Sequence, residues 1–220
     1  MFEHYEKNIL GKDYAVGDLH GCYSLLEARL KQIGFNPETD RLFSVGDLVD
    51  RGAESYRVEE FLEKPWFHAV QGNHDRMAID YTRGRCNVNL YKSNGGTWFI
   101  NSDLETRERI AKSLAKLPIA LEVETDKGLI GIVHADCPYT SWSTLMNMLQ
   151  SGMYAPHIVE HCQWDRDRIQ YRDSTNVEGL YKLIVGHTPV TDVLALGNLL
   201  YIDTGAVYGK KLTIIDFDVL

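Results

Sequence analysis

Arg41-Leu42-Phe43-Ser44-Val45-Gly46-Asp47-Leu48-Val49-Asp50-Arg51-Gly52 is the stretch on which the fold turns. Its first five residues, Arg41–Val45, read as a short strand. Gly46 ends the run and opens a turn that carries two aspartates and an arginine. The same grammar recurs on either side. Upstream, Asp13–Val16 runs into Gly17-Asp18-Leu19-His20-Gly21; downstream, Trp66–Val70 runs into Gly72-Asn73-His74-Asp75. Between these strands Cys22, Leu25, Leu26, Leu30 and Ile33 share one helical face before Gly34, a second helix is predicted near Glu54–Leu62, and a third from about His74. Ser102 with Glu105 reads as a capping box that opens a helix to about Leu117, where Pro118 stops it. Strands are then predicted at about 119–124, 129–133, 181–185, 199–202 and 211–217, with a helix near Ser143–Gln150 among them.

A β-α-β-α-β first half followed by a strand-rich second half predicts layered sheets with helices outside. No linker, repeat or low-complexity stretch divides residues 1–220, so a single domain is expected. Consecutive strands that each end in a Gly-flanked polar cluster bring those clusters to one edge of a sheet, the carboxyl edge, where open α/β sheets bind ligands. Further polar clusters follow later strands: His134-Ala135-Asp136, Gly186-His187-Thr188-Pro189 and Asp203-Thr204-Gly205.

Composition narrows the partners. Acids outnumber bases by 31 to 23, a net charge of −8, which argues against a nucleic acid as the main partner because such binding runs on clustered Lys and Arg. The amino terminus lacks the apolar core of a secretory signal and no apolar run approaches the ~18 residues of a membrane span, so a soluble, cytoplasmic protein without a membrane partner is expected. Cys22, Cys86, Cys137 and Cys162 have no C-x-x-C spacing and read as reduced, structural thiols.

The strand-end clusters supply carboxylate, imidazole and amide groups without thiolate, a donor set suited to divalent Mn, Fe or Zn. Two such ions roughly 3.5–4 Å apart can clamp both oxygens of an in-line displacement. One Gly-Asp turn alone would be only a turn; three at successive strand ends, with two later strand-end histidines, are a constellation.

That constellation resembles the calcineurin-like metallophosphoesterases, and within them the phosphoprotein phosphatases, specifically the lambda phage-type Ser/Thr/Tyr protein phosphatases. The likeness runs from about residue 13 to 217. Beyond the core motifs it includes Asn94-Gly95-Gly96 with Trp98-Phe99, His134-Ala135-Asp136 with Pro138, Trp164 with Arg166 and Arg168, and Tyr201–Val207. The resemblance implies an α/β fold, a four-layer α/β/β/α sandwich, and two divalent metal ions, usually Mn²⁺. By motif position Asp18 and His20 would hold the first ion, Asp47 would bridge both, and Asn73, His134 and His187 would complete the second. Arg51 and Arg166 match phosphate-clamping arginines, and His74 paired with Asp50 matches a general acid. The implied reaction is hydrolysis of phosphoserine or phosphothreonine, with phosphotyrosine as a further substrate, by direct attack of a hydroxide bridging the metals. Its partners would be a phosphorylated protein or peptide and the product inorganic phosphate, in a bacterial cytoplasm or in the host's if phage-encoded.

Each role also makes chemical sense unaided. A phosphate dianion repels hydroxide, so cations and guanidinium forks must neutralise it first. A serine alkoxide is a poor leaving group, so a positioned imidazolium is valuable. Two departures from the pattern stand out: Asp75 where related phosphatases carry Glu, and Asp165 where they carry Asn, which places an anion beside Arg166. Gly72-Asn73-His74-Asp75 is shared with the symmetrical bis(5′-nucleosyl)-tetraphosphatases, the alternative enzyme; a non-catalytic scaffold on the same fold is the alternative from another class. Arg168 is expected on the outer face of a strand as a surface charge, Asp136 and Asp203 in turns or behind the ligands, and no aromatic is assigned to the substrate. Specificity is expected in the stretches about 76–100 and 137–165.

Overall fold

The computed structural model describes residues 1–152 and 156–220; the 137–165 stretch is therefore followed except at 153–155. The first half runs β1 (Phe2–Tyr5), β2 (Asp13–Val16), α1 (Tyr23–Ile33), β3 (Arg41–Ser44), α2 (Val58–Leu62), β4 (Phe67–Ala69), α3 (Asn73–Thr82), α4 (Val88–Ser93), α5 (Thr97–Ile100) and α6 (Leu104–Leu114). The second runs β5 (Ala120–Thr125), β6 (Gly128–Val133), α7 (Trp142–Ser151), α8 (Pro156–Trp164), α9 (Asp167–Tyr171), β7 (Lys182–Val185), β8 (Leu194–Leu196), β9 (Leu199–Tyr201) and β10 (Ile214–Asp216). One sheet has the order β10-β2-β3-β4, with β2, β3 and β4 parallel and β10 antiparallel at the edge. The other has the order β1-β5-β6-β7-β9-β8, with β6, β7 and β9 parallel.

The apolar strands are short and unalternating because both of their faces are covered. Ala15, Phe43, Val45 and Val70 meet Leu121, Ile130, Ile132 and Ile184 between the sheets. Neighbours on the same strands point the other way: Tyr14, Val16 and Leu42 pack against Leu26 and Leu30 of α1, Phe61 of α2, Met77 of α3 and Leu114 of α6. Across the second sheet, Leu183, Val185 and Leu199 pack against Trp142 and Leu145 of α7 and Ile158 of α8. The layers are thus α/β/β/α, as the family resemblance implied. Each fully buried Leu, Ile or Val contributes about 1.5–3 kcal/mol.

Several local expectations are corrected. Asp103, not Ser102, caps α6: its carboxylate accepts from Thr106 N at 2.9 Å, while Ser102 Oγ turns back to Trp98 O. The last strand is confined to Ile214–Asp216, and β1, β8, α4, α5, α8 and α9 were not foreseen. Arg168 is not a surface charge on a strand. It lies on the short helix α9, where successive residues turn by about 100° instead of alternating, and its Nε donates to both oxygens of buried Asp136 at 3.0 and 2.9 Å. Among the described residues no helix is long and apolar enough to cross a membrane.

Candidate active site

The carboxyl ends of β2, β3, β4, β6, β7 and β9 converge on one edge and deliver Asp18, Asp47, Asn73, His134, His187 and Asp203 to it. The loops that leave those strands are knitted together by backbone: His20 N donates to Asp47 O at 2.7 Å and Gly21 N to Leu48 O at 3.0 Å. This knitting forces strain. Among the described residues six non-glycine residues have positive φ, and five of them are His20 (41°), Asp47 (51°), Asp50 (73°), Arg51 (66°) and His187 (66°). Left-handed backbone at such residues costs on the order of 1–3 kcal/mol each and persists only where the surroundings over-determine it. The approach of the two sheets is equally tight: a Cβ on Gly186 would stand 2.0 Å from Asp18 Oδ1.

Three imidazoles each have one nitrogen anchored on a main-chain carbonyl. His20 Nδ1 donates to Val49 O at 2.9 Å, His134 Nδ1 to Val45 O at 2.7 Å, and His187 Nε2 to Trp164 O at 3.1 Å. Such anchoring leaves the opposite nitrogen as a lone pair aimed inward, the arrangement of a metal-ligating histidine. His20 Nε2 lies 3.5 Å from Asp47 Oδ2, and His134 Nε2 lies 3.4 Å from Asp47 Oδ1 and 2.8 Å from Asn73 Oδ1. His187 Nδ1 also lies 2.8 Å from Asn73 Oδ1. Lone pairs that face carboxylate and amide oxygens call for positive charge between them. At His20 the Arg51 guanidinium supplies it, its Nη1 resting on Nε2. At His134 burial works to lower the ring, but the charge of Asp47 overrides it and raises it to about 9.

Two further observations fit divalent cations. His20 and His187 are both driven down to about 3, by burial above all, and are neutral near pH 7, as ligands must be. Asp18, Asp47 and Asp203 are three carboxylates buried together, at 3%, 2% and 4% exposure. Burial and then the charge of Asp203 push Asp18 well above the usual carboxylate range, and burial raises Asp203. Asp47 goes the other way: burial would raise it, but the facing histidines, His134 first, hold it well below that range. The donors fall into two compact groups that share Asp47: one with His20 and His74, the other with His134 and His187. Asp18 lies outside both groups, its two oxygens accepting from His187 N at 3.2 Å.

His74 opens α3 with its own N–H on Asp47 Oδ1 at 2.9 Å and its Nδ1 on Asp50 Oδ2 at 2.8 Å. Its Nε2 points toward Asp47 Oδ2 at 4.0 Å, and its ring stands edge-on to His20 at 4.7 Å. Arg166 is exposed at the start of α9 and adds its charge to those lowering His187. Asp165 does not sit against it as a free anion. Oδ1 accepts from Asp167 N at 2.9 Å, and Oδ2 lies 3.4 Å from His161 Nδ1. Asp75 is structural: Oδ2 accepts from Gly72 N at 2.9 Å and Oδ1 from Leu48 N at 3.0 Å, tying the helix start to the Asp47 turn. Burial and then the charge of Asp47 push it up to about 8. Asp136 stands behind the edge, paired with Arg168, whereas Asp203 lies at the edge with Asp18, its Oδ1 accepting from Gly205 N at 2.9 Å.

Two residues near the edge escaped the sequence reading. Tyr91 and Trp98 both donate to Asp50 Oδ1. Nothing local in the sequence signals a contact between residues so far apart in the chain. The exposed Tyr208 ring lies 5.8 Å from the Arg51 guanidinium.

Known proteins resemble this chain over most of its length. The family profile described as "Calcineurin-like phosphoesterase" matches residues 14–211. The "Serine/threonine-protein phosphatase 1" of Salmonella typhimurium is 36% identical over 209 residues, 91% of this chain and 89% of that protein. The symmetrical bis(5′-nucleosyl)-tetraphosphatase of Actinobacillus pleuropneumoniae is 48% identical, but over only 64 residues, 28% of this chain and 24% of that one. A solved structure provisionally described as a diadenosine tetraphosphatase superposes with a TM-score of 0.67 at 19% identity, over 97% of this chain and 93% of that one. At that identity the likeness is one of fold.

Proposed function

This chain belongs to the calcineurin-like phosphoesterases, hydrolases with a dinuclear metal site, and on that premise we propose that it is a phosphatase of phosphoserine and phosphothreonine in proteins. The observation that carries the reading is Asp47, shared between a His20 side and a His134–His187 side, with Arg51 and the His74–Asp50 pair at the same edge. The near full-length likeness to a serine/threonine phosphatase supports it over the tetraphosphatase, whose likeness covers 28% of the chain.

Asp18 and His20 would hold one cation and Asn73, His134 and His187 the other, with Asp47 common to both sets. Manganese suits this oxygen and imidazole set, with iron or zinc also compatible. When bound, the pair of cations supplies charge neutralisation and an acidified water as nucleophile. The remaining work belongs to side chains. Arg51 leaves His20 for the phosphate and, with Arg166, binds non-bridging oxygens through guanidinium forks. His74 Nε2 delivers a proton to the departing seryl or threonyl oxygen while Asp50 Oδ2 holds Nδ1, so the ring cannot turn away. Neither arginine is a ligand, which separates phosphate affinity from metal affinity. Four free thiols and bacterial relatives favour a bacterial cytoplasm as the place of action.

A panel of phosphoserine, phosphothreonine and phosphotyrosine peptides and a dinucleoside tetraphosphate, each assayed with and without Mn²⁺, tests the reading. Mn²⁺-dependent release of phosphate, fastest from the phosphoserine or phosphothreonine peptide, is the expected result. Preferential cleavage of the tetraphosphate would transfer the chain to the alternative activity. Absence of bindable metal and of turnover would make it a scaffold.

A further inference from the structure

Asp50 is fully buried and accepts three hydrogen bonds. Oδ2 takes His74 Nδ1 at 2.8 Å; Oδ1 takes Trp98 Nε1 at 2.7 Å and Tyr91 Oη at 3.1 Å. Both outer donors come from α4 and α5, a segment otherwise packed on the core through Tyr91 and Phe99. The turn between these helices, Asn94-Gly95-Gly96, lies against the Arg51 backbone. Gly95 has φ 98°, and a Cβ there would stand 2.7 Å from Arg51 N. One segment therefore backs both the carboxylate partner of His74 and the phosphate arginine.

We propose that Trp98, assisted by Tyr91, is a positioning residue for proton delivery to the leaving group. A carboxylate can turn about its last side-chain bond and present either oxygen to either neighbour. With two donors on Oδ1, only Oδ2 is left for His74, and it is held at one angle. His74 then has one orientation, with Nε2 toward the shared Asp47. The indole N–H and the phenol O–H also satisfy a buried anion that His74 alone would leave under-bonded, and a buried polar group left short of partners is free to seek others. The inference rests on the phosphatase reading with His74 as proton donor.

Trp98→Phe removes the N–H and keeps an aromatic ring beside Phe99, whose ring centre is 5.4 Å away. Misorienting the acid matters when the leaving oxygen is strongly basic and little when it is not, so kcat on a phosphoserine peptide should fall about tenfold while nitrophenyl phosphate changes by less than about threefold. KM on both substrates, metal content and inhibition by inorganic phosphate should stay as in the wild type, because no ligand or phosphate contact is removed. In the Asp50→Asn background the same change should add little, since groups that act as one unit are not additive. Tyr91→Phe should give the same bias in weaker form. It also serves as the test should Trp98→Phe fold poorly, because only a hydroxyl is lost.

Equal losses on both substrates, or none, in Trp98→Phe and Tyr91→Phe would overturn the positioning role, provided that His74→Asn and Asp50→Asn show the leaving-group bias. If those two reference variants show no bias, the proton-donor reading itself has failed, and the inference falls with it.

Discussion

Asp47→Asn removes one negative charge where the edge concentrates its donors. Oδ1 accepts from His74 N at 2.9 Å and lies 3.4 Å from His134 Nε2; Oδ2 lies 3.5 Å from His20 Nε2. Asparagine has nearly the same volume, keeps an oxygen for His74 N and tolerates the left-handed backbone of φ 51°, so the turn should survive. The charge and one acceptor oxygen are what is lost. Removing a partner that merely orients a ligand costs about 10–100-fold in metal affinity, so removing a ligand shared by two ions should cost at least that at each site. At about 1.4 kcal/mol per tenfold, this is roughly 1.4–2.8 kcal/mol per site. Wild type and variant would be loaded at equal free Mn²⁺ and stripped of excess by gel filtration. Metal per protein would be counted by mass spectrometry before turnover on the phosphoserine peptide is measured. The expected result is depletion at both sites and a loss of turnover of about a thousandfold or more, because losses at two sites multiply. Two tightly held ions with a near-normal rate would refute the bridging role, and depletion of one ion alone would confine Asp47 to one site.

Arg166→Ala should leave metal content unchanged while raising KM or lowering kcat for monoesters and weakening inhibition by phosphate. A charge-assisted contact of about 1.5–3 kcal/mol corresponds to roughly ten- to a hundredfold, and unaltered phosphate inhibition would make Arg166 a surface residue. His68 bears on stability instead of rate. Burial above all, and then the charge of Arg41, lower its ring to about 4, so the fold requires the neutral form. Its contribution is complete above about pH 6.5, the unfolded value, and is lost as pH falls through the window down to about 4. Denaturant unfolding at pH 7 and pH 5 should show wild type losing up to about 2 kcal/mol more than His68→Phe over that interval, at 1.36 kcal/mol per pH unit. Parallel losses in the two proteins would remove His68 as the acid-sensitive group.

Much of the fold was legible because its signals are local. Asp13–Val16 is a strand with the boundaries expected, and Arg41–Ser44 lacks only Val45, since an apolar run broken by glycine and aspartate needs no distant information. The strand-end clusters were legible for the same reason, and the family resemblance then put names to their roles. The misreadings were local choices settled from outside. Ser102 and Asp103 are both good caps, and Ser102 was taken by the Trp98 carbonyl. Arg168 sits two residues after Arg166, which means opposite faces on a strand but not on a helix; buried Asp136 is what claims it. Strand β1 has two exposed residues in its four, too little burial to leave an apolar signature, and owes its existence to pairing with β5, whose first residue is Ala120.

The sequence by itself determined the residue types, their recurrence after strands and hence the chemistry of the edge: carboxylate, imidazole and amide donors with arginines beside them. Only the tertiary structure decided which atom of each faces which. His187 and Asn73, 114 residues apart, meet at 2.8 Å, and Trp98 finds Asp50 across 48 residues at 2.7 Å. Which ring nitrogen is anchored on a carbonyl and which is left as a lone pair was likewise set by the strand order and by how closely the two sheets approach. The physical reason is that hydrophobic period and turn chemistry act over a few residues of chain. Hydrogen bonds and charge act over a few ångströms of space, and folding is what makes the two kinds of nearness coincide.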